Sequence, residues 1–273
     1  MTFVPHFEIV AADGAAPVRT AFVLHGIYGA GRNWRTFARD LVAEQPDWRV
    51  VLVDLRNHGR SQGAPPPQTL AACAADLVRV GEAVGGPPET VVGHSFGGKV
   101  ALVYARDHGA ALRRLWILDS PPGAAPASAE DDSEAGRVLA TLREVAGPVA
   151  RRSDAIDALV RHGVAKGIAQ WLATNLVPRD EGGYEWVFDA DRLAEMLADY
   201  WRVDGWPFLS APPSGLTVDV VRAGRSDRWT AEDVRRLEAL DAAGAITAHL
   251  LPDAAHWLHV DDPAGLRRML VLG

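Results

Sequence analysis

Short apolar runs alternate with helical patterns along most of this chain, and this alternation constrains the fold more than any other feature. The runs fall at residues 21–24, 49–53, 90–92, 115–118, 218–221 and 246–251, with helical patterns at 34–44, 70–84 and 96–108. Such apolar runs are typical of parallel strands buried on both faces. Because strand–helix alternation produces right-handed crossovers, we predict an α/β fold with a mostly parallel, doubly wound sheet. Residues 3–20 would add an antiparallel edge hairpin.

The alternation stops in the middle of the chain. Helical patterns at residues 134–145, 155–172 and 190–200 follow one another without an intervening strand pattern, and Pro- and Gly-rich segments at 121–126 and 211–215 bracket them. Such segments are typical of turns and linkers. We therefore predict a helical lid over residues 121–215, inserted after the sixth strand, with residues 1–120 and 216–273 forming the two parts of the core.

Composition argues against several classes of protein. The net charge of −7 argues against a nucleic-acid partner, because phosphate contacts need a basic face. No apolar stretch approaches the roughly 20 residues that span a bilayer, and the first residues lack the basic and apolar regions of a signal peptide, so we expect a cytoplasmic protein. Cys73 lies in an apolar helical pattern, which favours a buried thiol over a metal ligand.

The segment Gly93-His-Ser-Phe-Gly97 matches the pattern G-x-S-x-G. It follows a predicted strand and precedes a predicted helix, the setting of a nucleophile elbow. Side chains at the two glycines would collide with the neighbouring strand or helix. We therefore predict that Ser95 is a nucleophile.

A serine hydroxyl needs a base to take its proton, and the base is expected after the last strand. His256 follows the run at 246–251 and is the predicted base, with His259 as the alternative. Two aspartates compete to orient the imidazole: Asp227 and Asp119 each follow a predicted strand, and so lie at the carboxyl edge of the sheet. Asp227 is preferred.

A tetrahedral intermediate needs backbone N–H donors around its oxyanion. Phe96, directly after the nucleophile, is one predicted donor. Ile27, in the loop that follows the run at 21–24, is the other. We interpret His25 and His94 as packing residues beside the site.

Four segments together resemble the abhydrolase esterases, a subgroup of the α/β-hydrolases: His25-Gly-Ile-Tyr-Gly29, Asp54-Leu-Arg-Asn-His-Gly-Arg-Ser61, Gly93-His-Ser-Phe-Gly-Gly-Lys99 and His256-Trp-Leu-His259. The resemblance implies esterase or thioesterase activity without a cofactor or metal. It also leaves the acid open, since some relatives rely on a residue matching Asp119. The usual glycine before the catalytic histidine is Ala255 here, which should alter only the loop geometry. The segment from Asp54 is interpreted as a hydrogen-bonded loop beside the site.

Aromatic residues of the lid are candidates for an apolar acyl pocket. The predicted substrate-binding residues are Tyr28, Trp171, Trp201, Trp206 and Trp257. The alternative is that some of them only join lid to core. Since no basic cluster of the lid suggests a CoA or phosphate site, a simple ester is preferred over an acyl-CoA.

These features predict a hydrolase that cleaves small-molecule carboxylic esters or thioesters through an acyl-enzyme on Ser95. One alternative is a lyase that uses the same residues to abstract a proton, as in relatives resembling menaquinone-pathway enzymes. Another is a binding protein that has kept the fold and lost the chemistry.

Overall fold

The computed structural model describes residues 3–125, 133–145 and 147–273, and the end of the first predicted linker, at residue 126, lies outside them. Its strands are β1 Phe7–Val10, β2 Arg19–Leu24, β3 Trp48–Val53, β4 Thr90–His94, β5 Arg114–Leu118, β6 Leu176–Pro178, β7 Tyr184–Trp186, β8 Thr217–Ala223 and β9 Thr247–Leu251. Its α-helices in the described ranges are α1 Arg35–Glu44, α2 Leu70–Val84, α3 Phe96–His108, α4 Glu134–Glu144, α5 Arg152–Arg161, α6 Lys166–Leu172, α7 Ala190–Arg202, α8 Trp206–Ser210, α9 Ala231–Ala242, α10 Leu258–Asp261 and α11 Pro263–Met269.

Seven strands form one sheet in the order β1-β3-β2-β4-β5-β8-β9. β1 runs antiparallel to β3, and the other neighbouring strands pair in parallel. One apolar cluster joins the sheet to α2, α3 and the helices of the insertion, and a second joins its opposite face to α1 and α11. The predicted doubly wound α/β architecture is confirmed.

The N-terminal segment differs from its prediction. β1 lies outside β3, so β3 separates it from β2, and the two strands share no hydrogen bonds as a hairpin would require. The opening residues thus supply one edge strand instead of two. For this reason the insertion follows the fifth strand of the chain, not the sixth.

The insertion contains α4 to α8 and the small antiparallel sheet of β6 and β7. The single helix predicted over residues 155–172 is two helices, α5 and α6. Gly163 lies between them with φ +87°, a left-handed conformation that ends a helix and that glycine adopts without strain.

Lys99 on α3 connects the core to both ends of the insertion. Its ammonium donates hydrogen bonds to the carbonyls of Gly123 (2.7 Å), Tyr200 (2.8 Å) and Val203 (3.0 Å). The side chain is buried, and burial lowers its pKa to about 8 against the opposing attraction of nearby aspartates, chiefly Asp204. The helix that follows the predicted nucleophile is therefore tied to the insertion at three backbone positions.

Candidate active site

Ser95 occupies the sharp turn between β4 and α3. Its backbone has φ 54° and ψ −120°, a region that residues with a side chain rarely adopt. A Cβ at Gly97 would lie 2.5 Å from the carbonyl oxygen of His25, and one at Gly93 would overlap the backbone of Gly97. Both glycines are thus needed for the close approach of strand and helix that presents the serine, as the motif predicts.

His256 lies in the loop between β9 and α10 and reaches back over this turn. Its Nε2 is 3.0 Å from the Ser95 hydroxyl, and its Nδ1 is 2.7 Å from Oδ2 of Asp119. With the ring proton on Nδ1 donated to the carboxylate, Nε2 is left to accept the serine proton. The three side chains form one continuous chain of hydrogen bonds.

Asp119 follows β5 directly and is fully buried. Its Oδ1 accepts hydrogen bonds from the backbone N–H of Ala223 (3.1 Å) and the indole N–H of Trp229 (2.8 Å). Burial alone would raise the pKa of Asp119, but hydrogen bonds from His256, Ser226 and Ala223 outweigh it and hold the pKa below its ordinary value. The group beside the imidazole is therefore a carboxylate.

The preference for Asp227 as the acid is wrong. Its side chain is 93% exposed, and its Oδ1 lies 3.6 Å from Nε of Arg228. The physical reason is the position of each residue relative to its strand. Asp119 comes immediately after Leu118, the last residue of β5, whereas β8 ends at Ala223 and the turn that follows carries Asp227 outward.

The backbone N–H groups of the two predicted oxyanion donors share one environment. Ile27 and Phe96 both line the cavity above Ser95, and among the described residues neither backbone N–H has a hydrogen-bond partner. Tyr28, next to Ile27, has φ 63°, and its carbonyl accepts a 2.8 Å hydrogen bond from the Asn175 amide of the lid. The lid thus holds the conformation of the loop that presents Ile27.

Two further histidines pack behind the imidazole. His94 donates from Nε2 to the carbonyl oxygen of His256 (2.7 Å), which fixes the loop that carries the predicted base. His259, the alternative base, is instead stacked on Trp34, with ring centroids 3.9 Å apart. Burial lowers the pKa of His259 to about 4, and that of His94 well below the ordinary value. Both rings are therefore neutral and place no positive charge against the imidazolium that forms during catalysis.

His25 and His58 form a second buried pair, with ring centroids 5.0 Å apart. His25 accepts a hydrogen bond at Nε2 from the backbone N–H of Leu55 (3.0 Å). Burial lowers the pKa of His25 to about 4 and that of His58 to about 3. We refer to His25, His58, His94 and His259 as the four buried histidines.

The loop that begins at Asp54 is held by polar contacts within the core of the protein. The Asp54 carboxylate accepts hydrogen bonds from the backbone N–H groups of Gly31 (2.7 Å) and Arg60 (2.8 Å). Arg56 forms a buried ion pair with Asp76 on α2, at 2.8 Å. These contacts fit the interpretation of the segment as a hydrogen-bonded loop beside the site.

Two cavities meet at Ser95. The larger, of about 600 Å³, we call the large arm, and its lining includes Phe96, Tyr200 and Trp201. The smaller, of about 60 Å³, we call the small arm, and its lining includes Tyr28, Trp171 and Trp257. Four of the five predicted substrate-binding residues thus face a cavity.

The fifth, Trp206, does not, and this prediction is corrected. Trp206 is 2% exposed and lies outside the described lining of both arms. Its indole Nε1 would be 2.8 Å from a Cβ at Gly123, and the guanidinium of Arg236 lies 4.5 Å from its ring centroid. Because α8 begins where the lid rejoins the core, its first aromatic residue packs between the two layers instead of facing the serine.

Sequence reasoning missed an ion pair at the junction of the two arms. Arg228, after β8, contacts Glu134 at the first turn of α4, and both residues line both arms beside Ser95 and His256. Its neighbour Trp229 donates to Asp119, as described above. The partners are 94 positions apart in the chain, so no local pattern links them. The only hint in the sequence was that an acidic residue begins a helix of the insertion while a basic residue follows a strand of the core.

Cys73 on α2 is buried, and burial raises the pKa of its thiol. In the described ranges, no cluster of three or more His, Cys, Asp or Glu side chains is arranged to hold a metal ion. Within those ranges, none of the helices combines the length and the apolar character needed to cross a membrane.

Comparison with known proteins defines the family. A family profile described as the alpha/beta hydrolase fold matches residues 22–164. The mouse protein named sn-1-specific diacylglycerol lipase ABHD11 is 31% identical over 261 residues, which cover 92% of this chain and 79% of the mouse protein. The chain belongs to the α/β hydrolase family.

Two further comparisons agree with this assignment. Esterase YbfF of Escherichia coli (strain K12) is 26% identical over 249 residues, covering 91% of this chain and 90% of that protein. The solved structure of a marine microorganism esterase has a TM-score of 0.82 at 22% identity over 98% of both chains, which shows a common fold. The resemblance noted from sequence is confirmed, the protein is a hydrolase of this family, and the lyase and receptor alternatives are not favoured.

Proposed function

We propose that this protein hydrolyses carboxylic esters through an acyl-enzyme on Ser95. One observation supports this above all others: the hydrogen-bond chain from the Ser95 hydroxyl through His256 to the Asp119 carboxylate, at 3.0 and 2.7 Å. It couples a nucleophile, a base and an orienting acid, each carried by a different loop at the carboxyl edge of the sheet. The relatives are named as a lipase and an esterase, which also favours cleavage of a carboxylic ester bond.

Each residue has one role in the proposed reaction. His256 takes the proton of Ser95 as its oxygen attacks the acyl carbon, and the N–H groups of Ile27 and Phe96 stabilise the resulting oxyanion. His256 then gives the proton to the departing alcohol. Asp119 stabilises the imidazolium throughout. A water molecule, activated by the same imidazole, hydrolyses the acyl-enzyme and restores the serine.

We favour an oxygen ester over a CoA thioester. The large arm carries Glu134, Asp227 and Asp233 against Arg137 and Arg228, so its charge does not complement the phosphates of CoA. The solved thioesterase domain of a curacin pathway is 19% identical to this chain, a level that speaks to the fold alone. Thioester hydrolysis therefore remains the second candidate, since the same residues could perform it.

The test is a substrate panel with a serine variant. The wild-type protein should hydrolyse p-nitrophenyl esters with a burst of acyl-enzyme, and Ser95→Ala should lower kcat by about 10⁵- to 10⁶-fold. Ser153→Ala, at an exposed position of α5, is the matched control and should retain full activity. Wild-type rates in Ser95→Ala would disprove the proposal, and faster turnover of acyl-CoA than of any oxygen ester would make the protein a thioesterase.

A further inference from the structure

The two arms meet at the same three catalytic elements. Ser95, His256 and Ile27 belong to the described lining of both. An ester carbonyl attacked at Ser95 has two substituents, the acyl group and the alcohol, which leave its carbon in different directions. Each arm can therefore receive one substituent while the carbonyl oxygen faces the N–H donors.

The small arm is built for a short apolar group. Its described lining includes the apolar and aromatic residues Ile27, Tyr28, Val138, Ile168, Trp171 and Trp257. The charged residues that reach it from the junction, Glu134 and Arg228, are paired with each other. A polar alcohol placed there would lose its hydration without gaining new partners, which disfavours its binding. Its volume of about 60 Å³ also lies well below the roughly 300–1,000 Å³ of sites for drug-sized ligands.

The large arm is wider and carries a greater share of polar groups. Its volume of about 600 Å³ falls within the range of small-molecule sites. Its described lining adds the polar residues Arg137, Asp227, Thr230 and Asp233 to the aromatic wall of Tyr200 and Trp201. Thr230 and Asp233 bond each other at the start of α9, so the exposed carboxylate of Asp227 is the acceptor that hydroxyl groups of a bound molecule would meet here. Aromatic faces would cover the apolar parts of that molecule.

We propose that the substrate is an ester of a short acyl group, with about two to four carbons, and a larger, polar alcohol, the acyl group lying in the small arm and the alcohol in the large arm. This inference rests on the proposed ester hydrolysis and deepens it. It sets this protein apart from a lipase that accepts long acyl chains.

The first test varies one substituent at a time. With p-nitrophenol as the fixed leaving group, kcat/KM should fall by about 100-fold or more from acetate to octanoate. With acetate as the fixed acyl group, glyceryl and benzyl esters should be cleaved at least as fast as the ethyl ester. Octanoate cleaved faster than acetate would overturn the inference, and so would a clear preference for the ethyl ester.

The second test enlarges the small arm. Ile168→Ala on α6 should raise the ratio of kcat/KM for hexanoate to that for acetate by about tenfold, and Trp171→Leu provides a second opening if the first variant folds poorly. Leu197→Ala, which widens the large arm, is the matched control and should leave this ratio unchanged. If Leu197→Ala shifted the acyl preference while the small-arm variants shifted the alcohol preference, the arms would be assigned the wrong way round.

Labelling separates this inference from the function beneath it. Failure of the arm assignment would leave an active esterase with a different selectivity and an acylated Ser95. If no ester were turned over and Ser95 did not react with a fluorophosphonate probe, the proposed function itself would be disproved, and the arm assignment with it.

Discussion

Both carboxylate oxygens of Asp119 are occupied, and their partners predict what an amide would do in the same place. Oδ1 accepts hydrogen bonds from the Ala223 and Trp229 N–H groups, while Oδ2 faces Nδ1 of His256. In Asp119→Asn, the amide oxygen must take the place of Oδ1, because an NH₂ group there would meet two buried donors. The NH₂ group then faces His256.

This orientation reverses the hydrogen bond to the imidazole. Nδ1 of His256 must accept from the amide, so the ring proton moves to Nε2, which can no longer accept the proton of Ser95. Loss of the correct tautomer and of the carboxylate charge should lower kcat by about 10⁴-fold. The fold should persist, because Ala223 and Trp229 keep an acceptor. Asp119→Ala would leave those two donors unpaired and cost about 1–3 kcal/mol of stability for each.

The matched control is Asp227→Asn. Its side chain is 93% exposed, and a surface substitution of this kind changes stability by about 0.5 kcal/mol or less. p-Nitrophenyl acetate has no hydroxyl group that could bind Asp227 in the large arm, so we expect kcat for this ester to stay close to that of the wild type. Thermal unfolding of both variants is measured in parallel. The reasoning is refuted if Asp119→Asn stays within tenfold of the wild type, or if Asp227→Asn loses as much activity as Asp119→Asn.

Three further predictions concern stability. The four buried histidines have pKa values lowered by burial, so the unfolded chain binds more protons below pH 6.5. The free energy of unfolding should then fall as the pH is lowered from 6.5 to 4, by up to about 1.4 kcal/mol per pH unit for each histidine. In urea titrations, His259→Phe should reduce this fall. Equal stability of the wild type at pH 7.5 and pH 5 would contradict the prediction. Lys99→Met leaves three lid carbonyls without their donor and should cost about 3 kcal/mol, whereas Lys166→Met, at an exposed position, should cost nothing measurable by the same titration. Gly97→Ala places a methyl group 2.5 Å from a backbone oxygen and should lower the free energy of unfolding by about 3 kcal/mol or prevent folding. Gly147→Ala is the control and should be tolerated, because a Cβ there has no neighbour within 4 Å. A Gly97→Ala protein as stable as the wild type would show that the turn at Ser95 can relax.

Features specified by adjacent residues were predictable from the sequence. The bounds of α2 agree with the structure because Thr69 caps its first turn and Gly85, at φ +92°, ends it. The elbow was predictable for the same reason, since the collisions that exclude side chains at Gly93 and Gly97 arise within one strand–helix unit.

Features that depend on how distant segments meet were not predictable. Asp119 and Asp227 each follow a strand, and the choice between them depends on how far the turn after β8 carries the second one from His256. The packing of Trp206 and the contact between Glu134 and Arg228 likewise depend on where the helices of the insertion pack against the core. No periodicity within the lid sequence contains that information.

The position of the acid directly after β5 has a consequence for how this protein could change its substrate. Nucleophile and acid end two neighbouring strands, joined by the Ser95 N–H to Leu118 carbonyl bond of 2.9 Å, so their spacing is inherited from the rigid sheet. Asp227 borders the large arm without supplying the carboxylate that holds the imidazole. Exchanging this side chain should therefore redesign alcohol recognition while the catalytic machinery stays intact.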